Sequence, residues 1–221
     1  MKNIVIYGAS GHGKMIADII LKNNEYNIIG FIDSYRPIND NIYGFKVIGN
    51  LDMLHQLIEE QDIYGAIIGI GDNYTRRNVY HKIAEISPSI EFISAIHPSA
   101  ILANDVKIPQ GVVIMPNVVI NANAKIGEFT LLNTKSSLGH DSVMSNFSSL
   151  ASGAIISGNV KIGTCSAICL SASIIQNIVI GNHTIIGAGS LVLKSIGDYK
   201  QAFGLPINTI KDREANSKYL G

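Results

Sequence analysis

A chain of 221 residues, 47% hydrophobic and 15% charged, has an ordinary globular balance with no sign of disorder and room for one large domain or two modest ones. Lys+Arg and Asp+Glu both number 17, so the formal net charge is zero, which removes the electrostatic footprint of a general nucleic-acid binder. No apolar run is long enough to span a bilayer, no signal-peptide pattern precedes the first strand-like segment, and two cysteines, Cys165 and Cys169, are too few for a disulfide framework. The expectation is therefore a cytoplasmic protein without nucleic-acid or membrane partners.

Residues 1–96 read as alternating strands and helices. Asn3 to Tyr7 is a buried-strand run, followed by the glycine turn Gly8-Ala9-Ser10-Gly11-His12-Gly13 and a helical stretch from Lys14 to Leu21. A second strand, Ile28 to Ile32, ends at Asp33. A helix over 51–60, a strand over 64–70, a helix over 74–86 and a strand near 90–94 complete the pattern. This order predicts a Rossmann-like α/β unit with a small parallel sheet.

The glycine turn admits two named readings, and both fail on particular residues. Gly8 to Lys14 fits part of a P-loop, but Met15 stands where Ser or Thr must hold Mg²⁺. The dinucleotide spacing G-x-G-x-x-G is not met, because the glycines fall as G-x-x-G-x-G. The general logic remains: a glycine turn after the first strand lets a phosphate or ribose approach a helix N-terminus, where free N–H groups favour an anion. Gly8, Ser10, Gly11 and His12 are therefore candidate nucleotide contacts. Asp33 could accept from ribose hydroxyls or a base, and Gly71, Asp72 and Asn73 lie at the same carboxyl edge of the sheet. The plain alternative is a tight turn with Asp33 as a surface cap.

His97-Pro98 marks the boundary to a second region, residues 97–221, where a period of six takes over. In hexads counted from Ile101, the second place is aliphatic in sixteen consecutive blocks, from Leu102 to Val192, without insertion or deletion. The place two residues earlier is mostly small or β-branched, as at Val106, Val112, Val118 and Ala124. The third place is glycine at 127, 139, 163, 181 and 187. A helix needs a period of 3.6 and a plain strand a period of 2, and neither gives this series. Three hexads make the three walls of a triangular coil of 18 residues, with the aliphatic residue inside and polar or glycine-rich corners. The prediction is a left-handed parallel β-helix from about Ser99 to Ile196, stabilised by stacking of coils.

Within the repeat, His140 occupies the fourth place of its hexad, an outward corner, with Asp141 beside it. In the same column stand Ala122 one coil before and Gly158 one coil after, small residues that leave space for a ligand. The neighbouring column, Asn123, Asp141, Asn159, is a polar ladder. A corner histidine with an adjacent carboxylate suits general-base work, since its pKa lies near working pH. The plain alternative is a solvated corner histidine. His183 lacks an adjacent acid, and Cys165 and Cys169 lack a nearby base, so these read as packing residues.

These segments together resemble the bacterial sugar-nucleotide acyltransferases, a family that includes UDP-4-amino-sugar N-acetyltransferases and sialic-acid O-acetyltransferase-like proteins. The likeness is carried by Tyr7 to Gly13, Phe31-Ile32-Asp33, Ile70 to Asn73, Ile96 to Ala100, Ile114-Met115-Pro116, Asn133-Thr134, Gly139-His140-Asp141, Ser152-Gly153-Ala154 and Gly158 to Gly163. The block from Ile114 to Gly163 is similar to the N-acetyltransferase of the bacillosamine pathway. The resemblance implies a sugar-nucleotide-binding front domain (1–96), a β-helix acyltransferase domain with a short tail (97–221), and acetyl-CoA lying between adjacent prisms of a homotrimer. It implies His140 as base with Asp141 in support, Asn133 lining the site and the Gly158 amide stabilising the oxyanion. Gly158, Leu170, Gly187 and Ala188 would pack on CoA, with no metal required.

The chain departs from that pattern at Ser149, where many relatives carry a second histidine, at Ile168-Cys169-Leu170, and at Gly204-Leu205-Pro206-Ile207-Asn208. The resulting expectation is acetyl-CoA-dependent acetylation of the 4-amino group of a nucleotide-linked 4-amino-4,6-dideoxy sugar, UDP-linked in the first instance, with dTDP or GDP open. Two other readings stay open: an O-acetyltransferase of the same fold acting on a sugar hydroxyl, and a non-catalytic trimeric scaffold.

Overall fold

The computed structural model describes residues 1–219. Its front unit is a six-stranded sheet in the order β3-β4-β2-β1-β5-β6, with β1 Lys2–Tyr7, β2 Tyr26–Ile32, β3 Asn41–Ile42, β4 Phe45–Gly49, β5 Ile63–Ile68 and β6 Glu91–Phe92. All pairs are parallel except the short β3–β4 hairpin. The helices are α1 Gly11–Asn23, α2 Leu54–Gln61 and α3 Asn73–Ile86.

The alternation along β1 assigns its two faces. Ile4 and Ile6 pack with Ile16, Ile19 and Ile20 of α1, while Val5 and Tyr7 pack with Leu54 and Leu57 of α2 and Val79 and Ile83 of α3. Gly13 is fixed by close approach, since a Cβ there would lie 2.0 Å from the Gly8 carbonyl oxygen. The glycine spacing thus serves the packing of α1 onto the loop after β1. The β3–β4 hairpin, absent from the sequence reading, turns through Tyr43 and Gly44, both at positive φ (54° and 86°). A two-residue turn of that kind is the expected hairpin connection.

The hexads form the prism. Strands two residues long pair in register with strands 18 residues on, as Leu132 with Leu150 and Leu138 with Ile156. The first wall runs from Ala95–Ile96 through 113–114, 131–132, 149–150, 167–168 and 185–186. It closes with the antiparallel pair Lys200–Gly204 and Ile207–Asp212. The second wall holds 101–102 through 191–192, and the third 125–126 through 179–180. The first wall therefore begins two residues ahead of His97. Second-place residues such as Ile114, Leu132, Leu138 and Leu150 are fully buried in the interior. Burial of each such side chain stabilises by about 1.5–3 kcal/mol.

At the corners from Gly111 to Gly189 the fifth residue of the hexad sits at positive φ, as at Asn123 (58°), Asp141 (57°), Phe129 (55°) and Phe147 (58°). From Phe129 onward its amide donates to the carbonyl 19 residues back, as from Asp141 to Ala122 at 3.0 Å and from Phe147 to Glu128 at 2.9 Å, whereas the Asn123 amide donates to Asp105 Oδ2 at 2.6 Å. The corner between the third and first walls docks against α3. Phe129 and Phe147 stack there with centroids 5.0 Å apart and planes 5° from parallel, beside Tyr80 and Phe92.

Arg76 of α3 is 2% exposed and fastens this junction. Its Nε donates to the Phe129 carbonyl (2.9 Å), Nη1 to those of Ile70 and Gly71 (both 3.0 Å), and Nη2 to Asn73 Oδ1 (2.7 Å) and the Phe147 carbonyl (3.1 Å). All five guanidinium N–H groups are thus matched by oxygen acceptors, which is what allows the cation to be buried without a carboxylate.

Candidate active site

The front-domain residues surround a cavity of about 440 Å³ at the carboxyl edge of the sheet, lined among others by Tyr7, Gly8, Ser10, Asp33, Gly71 and Lys82. Asp33 holds the shape of this edge. Its Oδ2 accepts from the Ala9 amide at 2.7 Å, and its Oδ1 from the amides of Tyr35 (2.8 Å) and Arg36 (3.0 Å), so the loops after β1 and β2 are clamped together. Ser10 stands at the N-cap of α1 without using its side chain as a cap, which leaves the hydroxyl to the cavity.

Four sequence candidates stand off that lining. Gly11 is exposed at the first turn of α1. His12 is half-buried beside Arg76, and burial, then the Arg76 charge, pushes its pKa down to about 4, so the ring is neutral. Asp72 caps α3, its Oδ1 accepting from the Thr75 amide (2.8 Å) and hydroxyl (2.7 Å). Asn73 is wholly buried, donating from Nδ2 to the Ser166 carbonyl at 3.0 Å.

A second cavity of about 360 Å³ lies on the first wall and the corner that follows it. Asn133, Leu170, Gly187 and Ala188 line it, together with Ser149, Cys169 and Tyr219. Burial pushes the Cys169 thiol up to about 11, so it serves as apolar lining and not as a nucleophile. Gly71 borders both cavities, which makes it their meeting point. Tyr219 was not legible in the sequence. The tail returns from the last hairpin, held by Arg213 on the His183 carbonyl (2.8 Å), and the Tyr219 hydroxyl accepts from the Asn73 amide at 3.3 Å. Burial pushes that phenol up to about 12. Lys82 and Tyr35 were missed as well, the first a cation and the second a 97% exposed ring at the front cavity.

His140 and Asp141 occupy a different corner, between the second and third walls. The imidazole is 68% exposed, and its Nδ1 lies 2.7 Å from Asp141 Oδ2. The hydrogen bond from His140, and after it one from Asn123, holds the Asp141 carboxyl below its usual range. An ionised Asp141 takes the Nδ1 proton as a hydrogen bond and leaves the Nε2 lone pair facing outward. The ring lies over Gly158, where a Cβ would come within 2.4 Å of Nε2, so any larger residue there would displace the imidazole from this position. The Gly158 amide makes no hydrogen bond among the described residues.

The site residues thus fall into three groups. Gly8, Ser10, Asp33 and Gly71 meet at the front cavity, and Asn133, Leu170, Gly187 and Ala188 at the wall cavity. His140, Asp141 and Gly158 form the third group, across the full second wall from Asn133 in the same chain. Among the described residues no helix is long and apolar enough to cross a membrane.

Residues 3–83 match the PglD N-terminal domain family. The chain is 30% identical over 190 residues to the GDP-perosamine N-acetyltransferase of Escherichia coli O157:H7, covering 83% of this chain and 82% of that protein. It is 30% identical over 120 residues to the UDP-N-acetylbacillosamine N-acetyltransferase of Bacillus subtilis (strain 168), 52% of each. Among solved structures, PerB from Caulobacter crescentus in complex with CoA and GDP-perosamine superimposes with a TM-score of 0.88 at 29% identity, over 96% of this chain and 98% of the other. The acetyltransferase domain of PglB from Neisseria gonorrhoeae in complex with acetyl coenzyme A gives 0.85 at 27% identity, over 94% and 98%.

Proposed function

From the premise that the chain belongs to the bacterial sugar-nucleotide acyltransferase family, we propose that it transfers the acetyl group of acetyl-CoA to the 4-amino group of a nucleotide-linked 4-amino-4,6-dideoxy sugar. The observation that carries this reading is the meeting of the two cavities at Gly71. The nucleotide occupies the front cavity of residues 1–96, with Gly8, Ser10 and Asp33 shaping it and Lys82 supplying a cation for the diphosphate. The pantetheine arm lies along Leu170, Gly187 and Ala188 in the prism domain, residues 97–221, and the hexose spans the junction.

His140 works from a neighbouring copy. It stands a whole wall away from Asn133 in its own chain, so a trimer of side-by-side prisms is the arrangement that brings one copy's His140 to the next copy's cavities. The sugar amine attacks the thioester carbonyl carbon, forming the C–N bond while Nε2 of His140 takes the amine proton. The oxyanion is received by the Gly158 amide. Collapse breaks the C–S bond, and the proton on Nε2 passes to the departing thiolate. Holding both substrates in place supplies the orientation that such a direct transfer needs.

GDP is placed first among the nucleotides, ahead of UDP and dTDP, because the relatives alike over most of this chain act on or bind GDP-perosamine. The test is thiol release from acetyl-CoA with GDP-, UDP- and dTDP-linked 4-amino-4,6-dideoxy sugars in separate reactions. Rapid release with the GDP sugar is expected. Release with none of the three overturns the amine acceptor and turns the search to hydroxyl acceptors.

A further inference from the structure

The His140–Asp141 pair is the end of a longer chain of hydrogen bonds that runs across three coils. Asn123 stands one coil before Asp141 in the same corner column, and its Nδ2 donates to Asp141 Oδ1 at 3.2 Å. The Asn123 amide in turn donates to Asp105 Oδ2, one coil earlier again, at 2.6 Å. Asp141 Oδ2 faces His140 Nδ1 at 2.7 Å. Each carboxylate oxygen of Asp141 therefore has its own donor, and the donors lie on different coils.

The column continues to Asn159 and Asn177, but these bond to each other through Asn159 Nδ2 and Asn177 Oδ1 at 2.8 Å. Asn123 alone is the rung that holds Asp141 among the described residues. Asp141 is half exposed, and a carboxylate in that setting turns readily about its terminal torsion. A donor fixed to Oδ1 selects the orientation in which Oδ2 meets the imidazole. That contact keeps the proton on Nδ1 and the lone pair on Nε2.

We infer that Asn123 is a positioning residue for acetyl transfer, acting through Asp141 to set the tautomer and direction of His140. The inference rests on the reading of His140 as the base. Asn123 touches neither substrate in that reading, so its removal acts on the chemical step and leaves both binding cavities as they are.

Asn123 lies at φ 58°, so glycine is the substitution that removes the side chain without straining the corner. N123G is expected to lower kcat about three- to tenfold, with KM for acetyl-CoA and for the sugar nucleotide within twofold of the parent and the trimer intact. In an Asp141→Asn background the same substitution is expected to cost nothing further, because its route to the imidazole has gone. A purely structural role for Asn123 would give the same loss in both backgrounds. His140→Ala separates the two ideas. If H140A is inactive while N123G keeps full kcat, or N123G costs equally in both backgrounds, the positioning role falls and the base stands. If H140A keeps its activity, the base itself falls.

Discussion

Two corners of the prism share one backbone and carry opposite chemistry. Between the second and third walls the positive-φ column reads Asn123, Asp141, Asn159, Asn177, and it is open to solvent. Between the third and first walls the same column reads Phe129, Phe147, Cys165, His183, and it is buried. Asn123 apart, both columns make the same amide-to-carbonyl bond to the preceding coil, for example Asn159 to His140 at 2.8 Å and Cys165 to Asn146 at 3.2 Å. At the open corner the residue types suit the backbone, since Asn and Asp tolerate the left-handed region. At the docked corner they suit the neighbour: the front domain packs on Phe129, Phe147 and Cys165 and Tyr199 stacks on His183, and packing offsets a backbone conformation that a bulky residue adopts only at a cost of roughly 1–2 kcal/mol. In the proposed reading function follows the same division, with the open corner presenting His140 and Asp141 and the docked corner packed against α3.

The most forceful way to break this contrast is to remove the fastening at the docked corner. Arg76→Met keeps much of the side-chain volume but leaves the carbonyls of Ile70, Gly71, Phe129 and Phe147, and Asn73 Oδ1, without their donor. Stranding a buried polar network of this kind is expected to destabilise by about 3–5 kcal/mol. The check is denaturant unfolding. A loss under 1 kcal/mol would mean that water or rearrangement satisfies those carbonyls and that Arg76 is not what holds the junction.

A sharper test sets backbone preference directly against packing. Phe147→Asn relieves the left-handed strain yet removes a ring stacked on Phe129 and touching Tyr80. Loss of a large buried aromatic is expected to dominate, for a net destabilisation of about 2–4 kcal/mol. A variant as stable as the parent would show that the docked corner is ruled by φ after all, and the contrast between corners would fail.

The two corners were also unequally legible in the sequence. The sixfold series of aliphatic residues announces the prism because interior packing repeats with the coil. Asn and Asp at the fifth place are recognisable as turn residues on the same grounds. Phe129 and Phe147 are not, because what makes them acceptable is Arg76 and Tyr80, some 50 to 70 positions away. Gly8, Ser10 and Asp33 do line the front cavity, since the loops after the first two strands must lie at the carboxyl edge of a parallel sheet. The tasks of individual side chains were less legible: Asp72 is a helix cap and Asn73 is turned into the prism. Lys82 reaches the front cavity from the third turn of a helix that reads as merely amphipathic, and Tyr219 arrives by a returning tail that no local pattern marks.

The smallest expected effect isolates the backbone term at the open corner. Asn177 lies at φ 60° in solvent, and its side chain does little beyond accepting from Asn159 at 2.8 Å. Asn177→Gly removes that exposed bond and frees the unfolded chain, both mildly destabilising, but it adopts the left-handed turn without penalty. The net change is expected within about 0.5 kcal/mol of the parent. Asn177→Ala loses the same bond but keeps the Cβ that crowds the carbonyl in this region, so it is expected to be about 1 kcal/mol less stable than the glycine variant despite alanine's smaller unfolded-state entropy. Chemical denaturation of the two side by side measures the difference. If alanine equals or exceeds glycine, the open corner does not select its residues for φ, and the recurrence of Asn and Asp there must come from their side-chain bonds along the ladder.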